Sequence, residues 1–421
     1  MISELAEKIK VKEETIQNWL EDRSKSMAAV PPVYGSVDLR NAGFKIAPVD
    51  TNLFPAGFNN LCETFSDNAS LAFQNYFRKS YPHIQKILMI PEEHTRNLFY
   101  WKNIAALSFM LRKAGLEVQI ASASTVFQDL HTIDIEEGES IQIQKLLMKD
   151  GYLQTARFVP DAILLNNDLS SGIPDYLKGV HQPILPSPQL GWHQRRKSDH
   201  FFYYEQLIQE LASLLDSDPW YFSPMTTVET GIDLADEICL KRLQESAEAL
   251  LSRIRQKYLQ YGIQREPYLF IKNNSGTYGL GLTHIQSSKE LLEINRRLRN
   301  KLEYAKGGQG VSEYLLQEGI PTADLYRAKP LEPVVYCVGG EPIGTFFRIH
   351  EEKTELDSLN APGMQFGCVC YHKIQKRKTY ELTYENKEKL FTVASLLCRV
   401  TMMAAMQEME KVNQISKTES A

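Results

Sequence analysis

The stretch Tyr268-Leu-Phe-Ile-Lys-Asn-Asn-Ser-Gly-Thr-Tyr-Gly-Leu-Gly-Leu-Thr283 runs from an apolar strand ending at Lys272 into a loop that carries Gly276, Gly279 and Gly281. A lysine at the end of a buried strand can reach a phosphate as a point charge, and a glycine-rich loop can fold its N–H groups over neighbouring phosphates. The order of the parts excludes the two commoner glycine motifs. A P-loop places its lysine after the glycines, at a helix start, and follows it with Ser or Thr. The dinucleotide fingerprint fails on spacing, and Leu282-Thr-His-Ile285 continues as a second strand instead of a helix. The implied geometry is strand, lid, strand. Taken alone, a glycine-rich hairpin turn has the same pattern.

Two later segments belong with it. In Val311-Ser-Glu-Tyr-Leu-Leu-Gln-Glu-Gly-Ile320 an apolar strand ends on residues whose backbone can pair with an adenine edge while a carboxylate takes ribose hydroxyls. Glu332 to Arg348 reads as a hairpin about Gly339-Gly340, its second strand ending on a cation. Together the three segments resemble an ATP-grasp domain. That likeness implies ATP held between two α+β lobes, with Lys272, Ser275, Gly276, Thr277, Gly279 and Gly281 around the phosphates. It implies that Gln317, Glu318, Gly319, Ile320 and Glu332 complete the ATP site, and that Lys272 and Arg348 act on the transferring phosphoryl group.

At 421 residues the chain can form two or three lobes. A net charge of -5 and a pI near 6.1 give no basic field for nucleic acid. The first ten residues are charged and lack a secretory apolar core, and Leu390 to Met406 contains Arg399, so a buried helix is expected there and no membrane span. Six scattered cysteines show no disulfide framework and suit a reducing cytoplasm; Cys368, Cys370 and His372 are too few for a closed zinc site.

The fold class expected is α/β and α+β. An N-terminal helix and linker (1–30) precede a substrate-binding, parallel α/β lobe (31–200) with strands at 84–90, 116–121 and 161–166 and helices at 97–114 and 174–180. A helical connector (201–264), the nucleotide region (265–410) and a polar tail (411–421) follow. This order resembles the pre-ATP-grasp plus ATP-grasp layout of carboxylate-amine ligases.

Residues 37–60 form a polar block with little secondary-structure pattern, holding Asp38, Arg40, Asn41, Lys45, Asp50, Asn52, Asn59 and Asn60. An amino-acid substrate needs a guanidinium for its carboxylate and carboxylate or amide acceptors for its ammonium, and this block offers both; a solvated connector is the competing reading. Arg96 and Asn97 follow the first strand of the α/β lobe, where ligands commonly meet such folds, although Asn97 could equally cap a helix. In Gly191-Trp-His-Gln-Arg-Arg-Lys-Ser198, Arg195 and Arg196 with Lys197 could meet phosphates or a carboxylate, Arg forks suiting both. Asp357 and Asn360 are the candidate magnesium ligands.

The phrases Ser36 to Asn60, Ile90 to Asn97, Gly191 to Ser198, Lys272 to Gly279 and Leu359 to Met364 resemble the proteobacterial ATP-grasp type of glutamate-cysteine ligase, over about residues 30–410. The resemblance implies ATP and Mg2+, with glutamate phosphorylated on its side-chain carboxylate and the resulting acyl phosphate attacked by the amine of cysteine. Related ligases carry a Glu-x-Asn pair before a Pro-Gly turn, where this chain has Ser358-x-Asn360. Another amino-acid ligase, or a non-catalytic nucleotide or amino-acid binder of the same fold, is the alternative.

Overall fold

In Val37-Asp-Leu-Arg40 apolar and polar residues alternate, and that period of two builds the central sheet. The computed structural model describes all residues except 93–96, 126–129, 137, 276–280, 295, 304–310, 369–379, 382–386 and 420–421. Tyr34–Asn41 and Ile46–Asn52 form a mostly buried antiparallel hairpin, where the polar composition predicted an irregular block. The strand Lys329–Val338 pairs with Tyr34–Asn41, Glu341–Ile349 follows it, and Gln365–Cys368 comes next in a seven-stranded sheet. Residues 34–52 therefore join strands some 300 residues later rather than the parallel lobe that adjoins them in sequence. Hydrogen-bonding edges satisfied at long range leave no local trace in composition.

Alternation gives this sheet two unlike faces. Val37, Leu39, Val335, Cys337, Phe347 and Ile349 face a core shared with Leu5, Ile9 and the C-terminal helix. Each such fully buried side chain is worth roughly 1.5–3 kcal/mol relative to exposure. The opposite face carries Ser36, Asp38, Arg40, Glu332 and Arg348, and it forms the floor of the site described below.

The C-terminal helix, Lys387–Glu419, extends beyond the expected apolar stretch on both sides. Its segment Glu388–Val412 is long and apolar enough to cross a membrane, yet 72% of its most apolar window is buried in the fold, as in a core helix. It packs against Ile2–Val11, Lys197–Leu214 and the back of the seven-stranded sheet.

Ala162–Asn166, Lys86–Pro91 and Glu117–Ser122 pair in parallel, as the strand–helix alternation predicts, with helix Leu98–Lys113 between the latter two. A hairpin, Leu130–Glu136 with Glu139–Lys145, extends this sheet and was not foreseen. The helix expected at 174–180 is only a 3-10 turn, Asp175–Leu177.

A third, four-stranded antiparallel sheet orders Thr226–Glu229, Tyr314–Glu318, Leu269–Asn273 and Leu282–Ile285. Leu269, Ile271, Tyr314 and Leu316 pack on the long helix Glu237–Gln260, whose N-cap Asp236 accepts from the Cys239 N–H. Gly319 ends one strand where a Cβ would lie 2.4 Å from the Tyr268 ring. Cys62 is disulfide-bonded, against the expectation of unpaired cysteines, while Cys239, Cys337, Cys368 and Cys398 are free.

Candidate active site

The last charged residue of the strand Leu269–Asn273 is Lys272, and its side chain crosses to the seven-stranded sheet, where Nζ donates to the Val49 carbonyl at 2.7 Å. The lysine is 9% exposed. Burial, reinforced by the neighbouring Lys197 ammonium, outweighs the pull of Asp50 and Asp38 and lowers its pKa to about 8. A buried cation held so far below its ordinary value is stabilised by any anion that reaches it.

Around Lys272 a cavity is lined by Asp38, Arg40, Asp50, Lys197, Glu332 and Asn360, among others. Arg40 Nε donates to Glu332 at 2.7 Å, and Arg348 Nη1 donates to Glu332 at 2.5 Å and to Asp38 at 3.0 Å. Arg348 is buried between the two carboxylates it bridges, and their attraction raises its pKa despite the burial. Lys197 Nζ donates to Asp50 at 2.5 Å and lies 4.4 Å from the Trp192 ring centre. Burial alone would raise the Asp50 pKa, but Lys197 and Lys272 outweigh it and lower it. Burial wins at Asp38, whose pKa is raised against the pull of Arg348. Four cations thus face three carboxylates, leaving surplus positive charge for a phosphate.

A second cavity, about 120 Å³, shares Asp38, Asp50 and Asn360 with the first and adds Ser36, Asn52, Asn60, Tyr336, Arg348 and Phe366. The largest of the described cavities, about 980 Å³, lies elsewhere, between the helix Leu98–Lys113 and the edge of the parallel sheet. It touches Asn59 and Asn60 but none of the cations gathered around Lys272, so the chemistry is assigned to the smaller pair.

Of the residues expected at the site, Asp38, Arg40, Asp50, Asn52, Asn60, Lys272, Glu332, Arg348 and Asn360 converge on these two cavities. Gly276, Thr277, Gly279 and Arg96 lie outside the described residues. Ser275 lies just past Lys272, its N–H donating to Asn273, and Gly281 sits at positive φ where the next strand begins.

Several expected contacts are occupied by the protein itself. Lys45 is fully buried against Glu318 at 2.6 Å and over Trp220, so it faces away from the cavities. Glu318 also accepts from Trp220 Nε1 and the Met225 N–H, which leaves no edge for ribose hydroxyls. Gln317, opposite Phe270, shares the face of Lys272, and neither end of its buried amide has a protein partner. Ile320 offers its carbonyl to Arg40. Asn41 is tied to Asp324. Asn97 caps its helix by accepting from the Phe99 N–H, and Asn59 lies on the largest cavity. Asp357 accepts the Thr354 N–H and hydroxyl on Oδ2, its Oδ1 lies 3.8 Å from His284 Nδ1, and it does not line either cavity. Among the described residues no cluster of three His, Cys, Asp or Glu side chains suits a metal.

Arg195 and Arg196 are likewise diverted, Arg196 to Glu313 and Arg195 to Glu408; Lys197 is the member of that run that reaches the cavity. Glu408, on the C-terminal helix, was not foreseen. It binds Arg195 through both oxygens, at 2.7 and 3.1 Å, and also takes His200 Nδ1. Arg195 in turn donates to the Thr51 carbonyl at 2.6 Å, and His200 Nε2 meets the Thr51 hydroxyl at 3.0 Å. The residue after Asp50 is thereby pinned from behind. Glu408 stands just past the apolar run, between Gln407 and Glu410, and nothing in the sequence sets it apart from the other charges there.

A buried lysine over a ladder of buried ion pairs, next to a small chamber of mixed polarity, is an arrangement that a ligase joining two small molecules could use. Residues 6–409 match the GshA family, described as glutamate-cysteine ligase, and the chain belongs to that family. A crystal structure from Methylobacillus flagellatus KT, provisionally assigned as a gamma-glutamylcysteine synthetase, is 35% identical with a TM-score of 0.87, covering 97% of this chain and 96% of its own. D-alanyl-alanine synthetase A from Vibrio cholerae is 12% identical with a TM-score of 0.37, covering 76% of this chain and 81% of its own. At that similarity it carries no argument. No curated protein matches the chain. The protein is an enzyme that joins glutamate to cysteine, the step that opens glutathione biosynthesis.

Proposed function

We propose that the cavity around Lys272 takes the triphosphate of ATP, in an ATP-grasp arrangement in which the four-stranded and seven-stranded sheets approach the nucleotide from two sides. The observation that carries this reading is the Lys272 ammonium, buried, lowered to about 8 and bonded to a single main-chain carbonyl. The γ-carboxylate of glutamate attacks the terminal phosphorus, ADP leaves, and an acyl phosphate forms. A carboxylate is a poor electrophile with oxide as its leaving group, whereas phosphate departs readily. Lys272, Lys197 and Arg348 stabilise the negative charge that gathers on the phosphoryl oxygens.

Magnesium fits the donor set, since the cavity offers hard oxygens and neither sulfur nor imidazole. Asn360 would hold it, with phosphate oxygens and water completing the shell. Bound there, the ion would draw charge off the transferring phosphoryl group. Arg40 and Arg348 orient Glu332 through its two oxygens, and Arg348 orients Asp38. The cytoplasm, where both amino acids and ATP are at hand, is the compartment this chemistry suits.

Purified protein supplied with ATP, magnesium, glutamate and cysteine is expected to release ADP only when both amino acids are present. Lys272→Ala is expected to lower kcat/KM for ATP by about a hundredfold or more, with folding checked by circular dichroism. Turnover undiminished by that change would sink the phosphate role.

A further inference from the structure

The site-bearing face of the seven-stranded sheet changes character along its strands. Asp38, Glu332 and Arg348 stand at one end, and two to four residues along the same strands the face becomes Val334, Tyr336 and Phe346. The second cavity sits across that change.

We propose that this cavity is the chamber of the acceptor amino acid, its amino group at Asp38 and Asp50 and its side chain against Tyr336, Phe346, Met364 and Phe366, which set the side-chain size accepted. The inference rests on the ligase reading above and adds where the second substrate sits and what selects it.

Size is the first ground. At about 120 Å³, against about 50 Å³ around Lys272, the chamber is the roomier of the two adjoining cavities and is the size of one small amino acid. Charge is the second. Two carboxylates line it against one guanidinium, which is already shared between Asp38 and Glu332. That balance favours an ammonium and disfavours the two carboxylates of glutamate. Burial also raises the Asp38 pKa, with Glu332 and Asp50 adding to it, so a cation arriving there is stabilised.

Side-chain chemistry is the third ground. The far wall is aromatic and thioether, the Phe346 and Phe366 rings meeting edge to face at 5.3 Å. A small, polarisable thiol suits a wall of that chemistry, while a long side chain has no room there.

The fourth ground is adjacency. Asp38 and Asp50 also line the Lys272 cavity, so an amine resting on them faces the carbonyl being activated. The nitrogen lone pair forms the C–N bond, and the C–O bond to phosphate breaks with its electron pair. Of the two protons the nitrogen sheds, one passes to a carboxylate of the pair and one leaves with the phosphate.

The test compares cysteine with norvaline, a longer unbranched acceptor. Met364 and Phe366 are only partly buried, so Met364→Ala and Phe366→Ala, with Phe366→Leu as the milder change, enlarge the chamber without emptying the core. The norvaline-to-cysteine ratio of kcat/KM is expected to rise about tenfold or more, with KM for glutamate and ATP changing less than about twofold. Gly57→Ala works in the opposite sense, because its Cβ would lie 2.4 Å from the Tyr336 hydroxyl. It is expected to raise KM for cysteine about fivefold. Unchanged acceptor selectivity in the enlarged variants, or a shift in glutamate KM instead of acceptor KM, overturns the assignment. A native protein that releases ADP without either amino acid overturns the ligase mechanism itself, a separate outcome.

Discussion

The Lys272 ammonium donates to the Val49 carbonyl at 2.7 Å, so one side chain ties the four-stranded sheet to the seven-stranded sheet at the point where phosphate is expected. The carbonyl is a neutral partner. It orients the lysine without cancelling its charge.

This geometry sets a pH limit. Lys272 in the free protein titrates at about 8, so it is charged below that pH and loses its charge above it. kcat/KM for ATP is expected to fall about tenfold per pH unit on the alkaline side. Because the Lys197 charge contributes to the lowering, Lys197→Met should move this limb to higher pH even while it slows the reaction. An alkaline limb that stays in place would separate the two lysines.

Gln317 offers a second test. A buried amide with no protein partner at either end costs stability unless a ligand completes it. Gln317→Leu is expected to stabilise the unliganded protein by about 1 kcal/mol and to raise KM for ATP about tenfold. Thermal unfolding and initial rates read the two effects separately. Stabilisation with an unchanged KM would leave the amide without a role at the nucleotide.

The metal assignment turns on two neighbours. Asn360 lines both cavities, whereas Asp357 lines neither and accepts from Thr354. Asn360→Ala should raise the magnesium concentration for half-maximal activity about tenfold or more, and Asp357→Asn should leave it nearly unchanged. Magnesium titrations of the two variants decide the matter, and the reverse result would restore Asp357.

Glu408 carries a prediction about acid stability. Burial would raise its pKa, but Arg195 and His200 reverse this and lower it to about 2. Its contribution is therefore complete above the ordinary glutamate value near 4.3 and is lost as pH falls towards 2. Glu408→Gln should cost about 3 kcal/mol at neutral pH, by urea unfolding, and should flatten the stability–pH curve over that window. A curve as steep as the native one would assign the acid sensitivity elsewhere.

What the sequence reveals follows from how local each signal is. Lys272 before its glycines, the parallel strands and the late hairpin are patterns within a few residues of one another, and they were legible. Asp38 and Asp50 stood out as candidates but not as strand residues, because polar composition hid the alternation with Val37 and Leu39. Lys45, Asp357 and Arg195 were misplaced for a single reason. Each finds its partner through the fold, at Glu318, in its own turn, or on the last helix, and a charged residue looks the same in sequence whether it greets a substrate or a neighbour.

The pairing of Arg195 with Glu408 spans 213 residues, and through Thr51 it steadies a strand formed near the start of the chain. During synthesis the guanidinium emerges long before its counter-charge, and a buried cation cannot wait uncompensated. A chain cut before Glu408 would leave that guanidinium buried without its counter-charge and the strand at Thr51 without its prop.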